Sequence, residues 1–335
     1  IGPMVILEEE PQADDKLALS KIAFEVAVEA NHVTPITFPS LVTMSLLGAS
    51  PGALTEDEVV RELDVLLAWA EARQLRISQD FDRAYADQME GLLGIMIDEG
   101  MVTHDDEGPD VVYATEQEQH AVASYYRNTI IHFFVNKAII ELALLKTSET
   151  EGAGALEVFW SEVDKLRDLF KFEFFYAPTD VFHEQIREEL ARYAPNWEEL
   201  LQQGAPGFLQ LQTNMLLLVS HATLLTYAEA YSIVAELLAG MESSEPLTEE
   251  QCVTRSLKLG HQAYLQRRIS SPASIGKLLF KNGFKMAEHR KLTMGGGEDV
   301  AEARQALARE IRDVLRRLEL IRALGVSIRG TLMEK

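Results

Sequence analysis

Apolar residues recur at helical spacing through most of the chain. Between Asp14 and Val33 they fall at Leu17, Ile22, Ala23, Val26 and Ala27. Asp14 and Asp15 stand at the start, where negative charge suits the positive end of a helix dipole. Thr34-Pro35-Ile36-Thr37-Phe38-Pro39 interrupts that pattern. Pro39 suits the first turn of a second helix over Ser40–Leu47, which Gly48 ends. Thr55 and Glu58 have capping-box spacing ahead of an amphipathic helix that runs through Arg73. Another helix is predicted over Asp80–Gly100.

The period changes in residues 101–115, MVTHDDEGPDVVYAT. Two β-prone runs flank Glu107-Gly108-Pro109-Asp110, which predicts a hairpin. Helices followed by a hairpin resemble a winged-helix module. Asp105, Asp106, Glu107 and Asp110 would make its wing repel DNA. Helical patterning resumes over Gln117–Lys146. The stretch Glu149–Ala155, with Gly152 and Gly154, has the composition of a linker. Helices follow at about 155–174, 179–193, 208–239, 248–269, 272–287 and 299–323. Met294-Gly295-Gly296-Gly297 forms a loop before the last one. The expected fold is all-α and multi-helical, with one short β-hairpin (about 101–115) in a winged-helix-like part. The linker divides the chain into an N-terminal part, 1–150, and a helical C-terminal part, 151–335.

Two tracts are apolar enough to be tested as membrane spans. Met215–Ala228 lacks Asp, Glu, Lys and Arg for 14 residues, against about 20 needed to cross a bilayer. Thr129–Leu145 is interrupted by His132, Asn136, Lys137 and Glu141. Both are expected to be buried core helices, and no span is predicted. The N-terminus lacks the basic start and cleavage site of a signal peptide. It does not begin with Met, so the sequence also fits a piece of something longer.

Charge changes the picture further. The net charge is −22, but from Arg255 onward 17 basic and 8 acidic residues give +9, which leaves −31 for the rest. Nucleic acid is excluded as an expected partner for so acidic a chain. The basic tail either packs on the acidic body or faces an anionic membrane or a phosphorylated ligand. The single cysteine, Cys252, forbids an internal disulfide and fits a reducing compartment. Two glutamates precede it, which argues for a structural role over a nucleophilic one.

Catalytic motifs are missing. His183-Glu184 is followed by Arg187 where a zinc protease would need histidine, and no two histidines lie three or four apart. Gly295-Gly296-Gly297 has neither the preceding strand nor the lysine of a phosphate loop. No nucleophile elbow occurs. No metal or cofactor is expected. Two segments stand out. In SYYRNTIIHFFV (124–135), one continuous helix would set Tyr125, Thr129, His132 and Asn136 on one side and Arg127, Ile131 and Phe134 on another. Such residues form either a buried polar network or a site wall. In IGKLLFKNGFKMAEHRKL, Lys277, Lys281 and Lys285 recur along one helix face. That stripe is either simply solvated or meets an acidic helix or a phosphate-bearing surface.

Four segments in order, VTPITFPSLVTMSLLG (33–48), SYYRNTIIHFFV (124–135), KFEFFYAP (171–178) and IGKLLFKNGFKMAEH (275–289), resemble the post-catalytic region of membrane-associated bacterial glycerol-3-phosphate acyltransferases, relatives of the mitochondrial enzyme. The resemblance runs from about Asp14 to Ala323. It implies a parent enzyme that moves an acyl group from acyl-CoA or acyl-carrier protein to glycerol-3-phosphate, giving lysophosphatidate. That enzyme would sit at the cytoplasmic face of the membrane. The family's His-x-x-x-x-Asp motif is absent: none of the eight histidines has Asp five positions on. The phosphate-binding motif is absent too, so no catalytic residue carries over. The expectation is a region inactive alone, with its own upstream acyltransferase domain as partner. Arg127, Asn128 and His132 are candidates for its interdomain or substrate-facing surface. Lys277, Lys281 and Lys285 are candidates for contact with an anionic surface. The competing expectation is a stand-alone acidic helical module that binds a basic protein.

Overall fold

The computed structural model describes residues 18–79, 81, 85–150 and 154–333. Helix α1 spans Ala18–His32, and its predicted start at Asp14 lies outside the described residues. Then come α2 (Phe38–Ala49), strand β1 (Leu54–Thr55), α3 (Glu56–Glu71), α4 (Met89–Asp98), β2 (Thr103–Asp105) and β3 (Val112–Ala114). The capping box at α3 is made: Glu58 N–H donates to Thr55 Oγ1 at 3.3 Å, and Thr55 N–H donates to Glu58 Oε2 at 2.7 Å. The expected hairpin is β2–β3. A third strand, β1, went unpredicted at two residues long. The antiparallel order is β1-β3-β2, with Leu54 and His104 both opposite Tyr113. Helix, strand, two helices and two strands is the order of a winged-helix module. The acids of the wing are exposed.

Leu41, Val59, Leu63, Leu66, Met89 and Leu93 pack under this sheet. The larger core lies in the helices that follow: α5 (His120–Asn128), α6 (Ile131–Ser148), α7 (Ala155–Phe170), α8 (Thr179–Tyr193), α9 (Trp197–Gln202), α10 (Ala205–Asn214), α11 (Ser220–Ala239), α12 (Glu249–Leu265), α13 (Lys277–His289) and α14 (Glu298–Met333). Helix α11 has 17 of its 20 residues buried, so other helices surround it. Helices α6 and α14 lie against it. Phe134 of α6 and Ala222 of α11 also enter the core under the sheet, so these helices join the two packed regions.

Two expected helices are broken. The helix predicted over 117–146 bends by 92° between α5 and α6. Thr129 Oγ1 donates to Tyr126 O at 2.7 Å, which closes the last turn of α5, and Ile130 is fully buried at the corner. The helix predicted over 208–239 stops at Asn214. Leu216 takes a left-handed φ of 58°, and α11 restarts at Ser220. Helix α9 was not predicted. Gly207 explains how α10 seats against it, because a Cβ there would lie 1.8 Å from Leu200 O. Of the helix predicted over Asp80–Gly100, Asp80 and residues 82–84 lie outside the described residues, and a single 3-10 turn, Ala86–Gln88, precedes α4.

Among the described residues, no single helix is long and apolar enough to cross a membrane. The α5–α6 pair passes by composition only when taken together across its bend. Basic residues of the tail pair with acids of the body: Arg316 with Glu149 at 2.6 Å, Arg268 with Glu236 at 2.7 Å and Arg290 with Asp168 at 3.2 Å.

Candidate functional site

The bend at Thr129–Ile130 separates the three residues singled out in SYYRNTIIHFFV. Arg127, on α5, lines a cleft of about 610 Å³. His132, on α6, lines a different one of about 600 Å³. Asn128 is exposed, but its Oδ1 accepts from Arg127 Nη2 at 2.9 Å and from Nε at 3.2 Å. The one-helix arrangement expected from spacing is therefore corrected: Tyr125 and His132 do not share a face.

The His132 cleft is walled by a completed polar network. His132 Nε2 lies 2.9 Å from Asn31 O, tying α6 to α1, and burial lowers its pKa, which favours the neutral ring. Arg73 donates to Glu189 from Nε at 2.8 Å and from Nη2 at 2.6 Å. Tyr193 Oη donates to Glu189 at 2.7 Å and accepts from Trp69 Nε1 at 3.0 Å. Burial opposes the charged form of Glu189, but the bonds and charge of Arg73 outweigh it and hold the carboxyl below its ordinary pKa. Lys137, also in this wall, stands 3.2 Å from Glu141, and both are buried. Each of these cations has its carboxylate.

The Arg127 cleft differs. Arg127 is 4% exposed. Its Nε and Nη2 groups are engaged by Asn128 and by Thr226 Oγ1, the latter at 3.4 Å. No carboxylate pairs with it among the described residues, and burial alone pushes its pKa down. His120 Nε2 lies 3.2 Å from Thr115 O, and its Nδ1 lies 3.0 Å from Ser271 Oγ. Burial keeps this ring toward neutrality, and the Arg127 charge acts in the same direction. Arg322 of α14 reaches the cleft while donating to Ser50 O at 3.1 Å. Thr115, Ser124, Thr226, Ser271 and Arg322 were not found from sequence. They come from five separate places in the chain, and no local spacing links them.

Lys277, Lys281 and Lys285 are exposed along one side of α13. Lys281 Nζ lies 2.9 Å from Glu249 of α12. Cys252 is buried, and burial raises its thiol pKa to about 11, which fits a structural residue. No group of three or more His, Cys, Asp or Glu is arranged to hold a metal ion among the described residues.

Residues 5–295 match the family described as the glycerol-3-phosphate acyltransferase C-terminal region. The chain belongs to that family. It is similar to the acyltransferase plsB1 of Mycobacterium bovis, with 32% identity over 310 residues, 92% of this chain and 50% of that protein. The plsB1 proteins of two Mycobacterium tuberculosis strains match to the same extent, 32% over 310 residues. The chain thus spans about half the length of the curated relatives it matches.

Proposed function

We propose that this chain is the non-catalytic C-terminal region of a glycerol-3-phosphate 1-O-acyltransferase, and that it supports the acyltransferase domain of the parent enzyme. That enzyme would take an acyl group from acyl-CoA or acyl-carrier protein and form lysophosphatidate, the first step of phospholipid synthesis. The family match over residues 5–295 carries the reading. The absence of His-x-x-x-x-Asp from all eight histidine positions supports a supporting role over a catalytic one. Arg127 and Asn128 face the substrate or the partner domain in this reading, and His132 holds the neighbouring wall. The exposed lysines of α13 rest on the anionic cytoplasmic face of the membrane.

The test is transfer of labelled palmitate from palmitoyl-CoA to glycerol-3-phosphate. It is run with this chain alone and with the upstream half supplied. Activity only with the upstream half supports the proposal. Activity in the chain alone means that unrecognised residues here do the chemistry. No activity in either favours the acidic interaction module.

A further inference from the structure

We propose that the cleft lined by Arg127 is a binding site for the phosphate group of a small organic phosphate. The proposal rests on the donors of this cleft and does not need the acyltransferase reading. A guanidinium carries five N–H donors. In Arg127 the Nε and Nη2 donors go to Asn128 and Thr226, and Nη1 has no partner among the described residues. The side chain is 4% exposed and has no counter-ion. An unpaired buried cation is costly, and elsewhere in this protein Lys137 and Arg317 meet that cost with a buried carboxylate.

Hydroxyl donors surround the same space. Thr115 Oγ1 is buried without a partner. The hydroxyl of Ser124, a residue 6% exposed, has no hydrogen-bond partner among the described residues. Thr226 Oγ1 accepts from Arg127 and keeps its own hydrogen for donation. Arginine with several hydroxyls suits a group that offers three or four acceptor oxygens and negative charge. A carboxylate offers two oxygens and would leave donors over. At about 610 Å³ the cleft is in the range of small-molecule sites, so the phosphate would carry an organic remainder. Glu116 and Glu118, both exposed, also line the cleft and would repel a ligand with further negative charge.

Calorimetric titration of the chain at fixed ionic strength tests this with inorganic phosphate, glycerol-3-phosphate, coenzyme A and acetate. At least one phosphate compound is expected to bind with a Kd below 1 mM, and acetate at least tenfold more weakly. Binding of inorganic phosphate as tightly as the esters would place the recognition in the phosphate itself. Tighter binding of an ester would add its remainder. Arg127→Lys should weaken binding at least tenfold, because lysine lacks the planar fork. Thr115→Val with Ser124→Ala removes two donors and leaves the buried cation in place. That double variant should keep its melting temperature and weaken binding several-fold, so it decides the matter if Arg127→Lys unfolds. The proposal is overturned if no phosphate compound binds, if acetate binds equally well, or if the double variant binds like the parent.

Discussion

Ser220 begins α11 under a carboxylate that arrives from another helix: its backbone N–H donates to Glu141 Oε2 at 2.8 Å. Val219 N–H donates to both Glu141 oxygens at 3.0 Å, and the Ser220 hydroxyl adds another bond. Glu141 thereby satisfies donors that a helix start leaves open, at the positive end of the dipole. Lys137, one turn earlier on α6, completes the group and donates to Met215 O at 3.4 Å.

The two partners are unequal. Glu141→Ala strips the start of α11 and leaves Lys137 buried without its carboxylate, so a loss of about 3–5 kcal/mol is expected. Lys137→Met leaves Glu141 with its backbone donors and should cost less than half as much. Urea unfolding of the two variants checks the order. Equal losses would mean that the ion pair, and not the helix start, is what Glu141 serves.

Arg304 of α14 is 1% exposed and bonds carbonyls in place of a carboxylate. It donates to Leu292 O at 2.9 Å, to Glu242 O and Glu245 O at 3.0 Å, and to Met294 O at 3.3 Å. Arg304→Ala leaves these acceptors unpaired, at about 1–3 kcal/mol for each one that stays dry. Arg304→Lys cannot reproduce the fork and should recover only part of the loss. Hydrogen exchange should quicken around 241–247 and 291–297 in both variants, whereas α7 and α8 keep their protection.

Glu173 supplies a pH dependence. Burial raises its pKa to about 7, against the bond it accepts from Asn282 Nδ2 at 3.1 Å. The unfolded carboxyl titrates near 4.5. Between these values the folded state holds the proton more tightly, so the contribution is full below 4.5 and is lost as pH rises through about 7. The melting temperature should therefore show a declining component from pH 5 to 7.5. Glu173→Gln should flatten that component and raise stability at pH 7.5. A parallel decline in both proteins would assign it to another group.

The α13 lysines make the membrane part of the proposed function measurable. Each basic residue near an anionic bilayer is worth about 1 kcal/mol. Replacing Lys277, Lys281 and Lys285 together by glutamate should lower binding to vesicles rich in phosphatidylglycerol at least tenfold. Neutral phosphatidylcholine vesicles should bind neither protein. Unchanged binding to the anionic vesicles would place the contact on another surface.

The sequence alone determined what short-range physics controls. The capping box at Thr55 and Glu58, the hairpin around Gly108 and the amphipathic periods of α3, α7 and α8 all depend on residues within a few positions of one another; the predicted stop at Gly48 does not occur, because α2 runs through it to Ala49. The ordered segments that resemble the acyltransferase C-terminal region were legible in the same way, as was the missing histidine–aspartate motif. Tertiary packing decided the rest. The tracts 117–146 and 208–239 contain no proline or glycine after Gly207, so nothing local announces the 92° bend or the restart at Ser220. The bend is pinned by burial of Ile130, and the restart by a carboxylate 79 positions away. Arg127 was legible as an unusual residue, and the lysine stripe as an exposed face. That Arg127 and His132 line different clefts, and that Thr115, Ser124 and Thr226 gather around Arg127 with no carboxylate paired to it, was settled only by how α5, α6 and α11 pack.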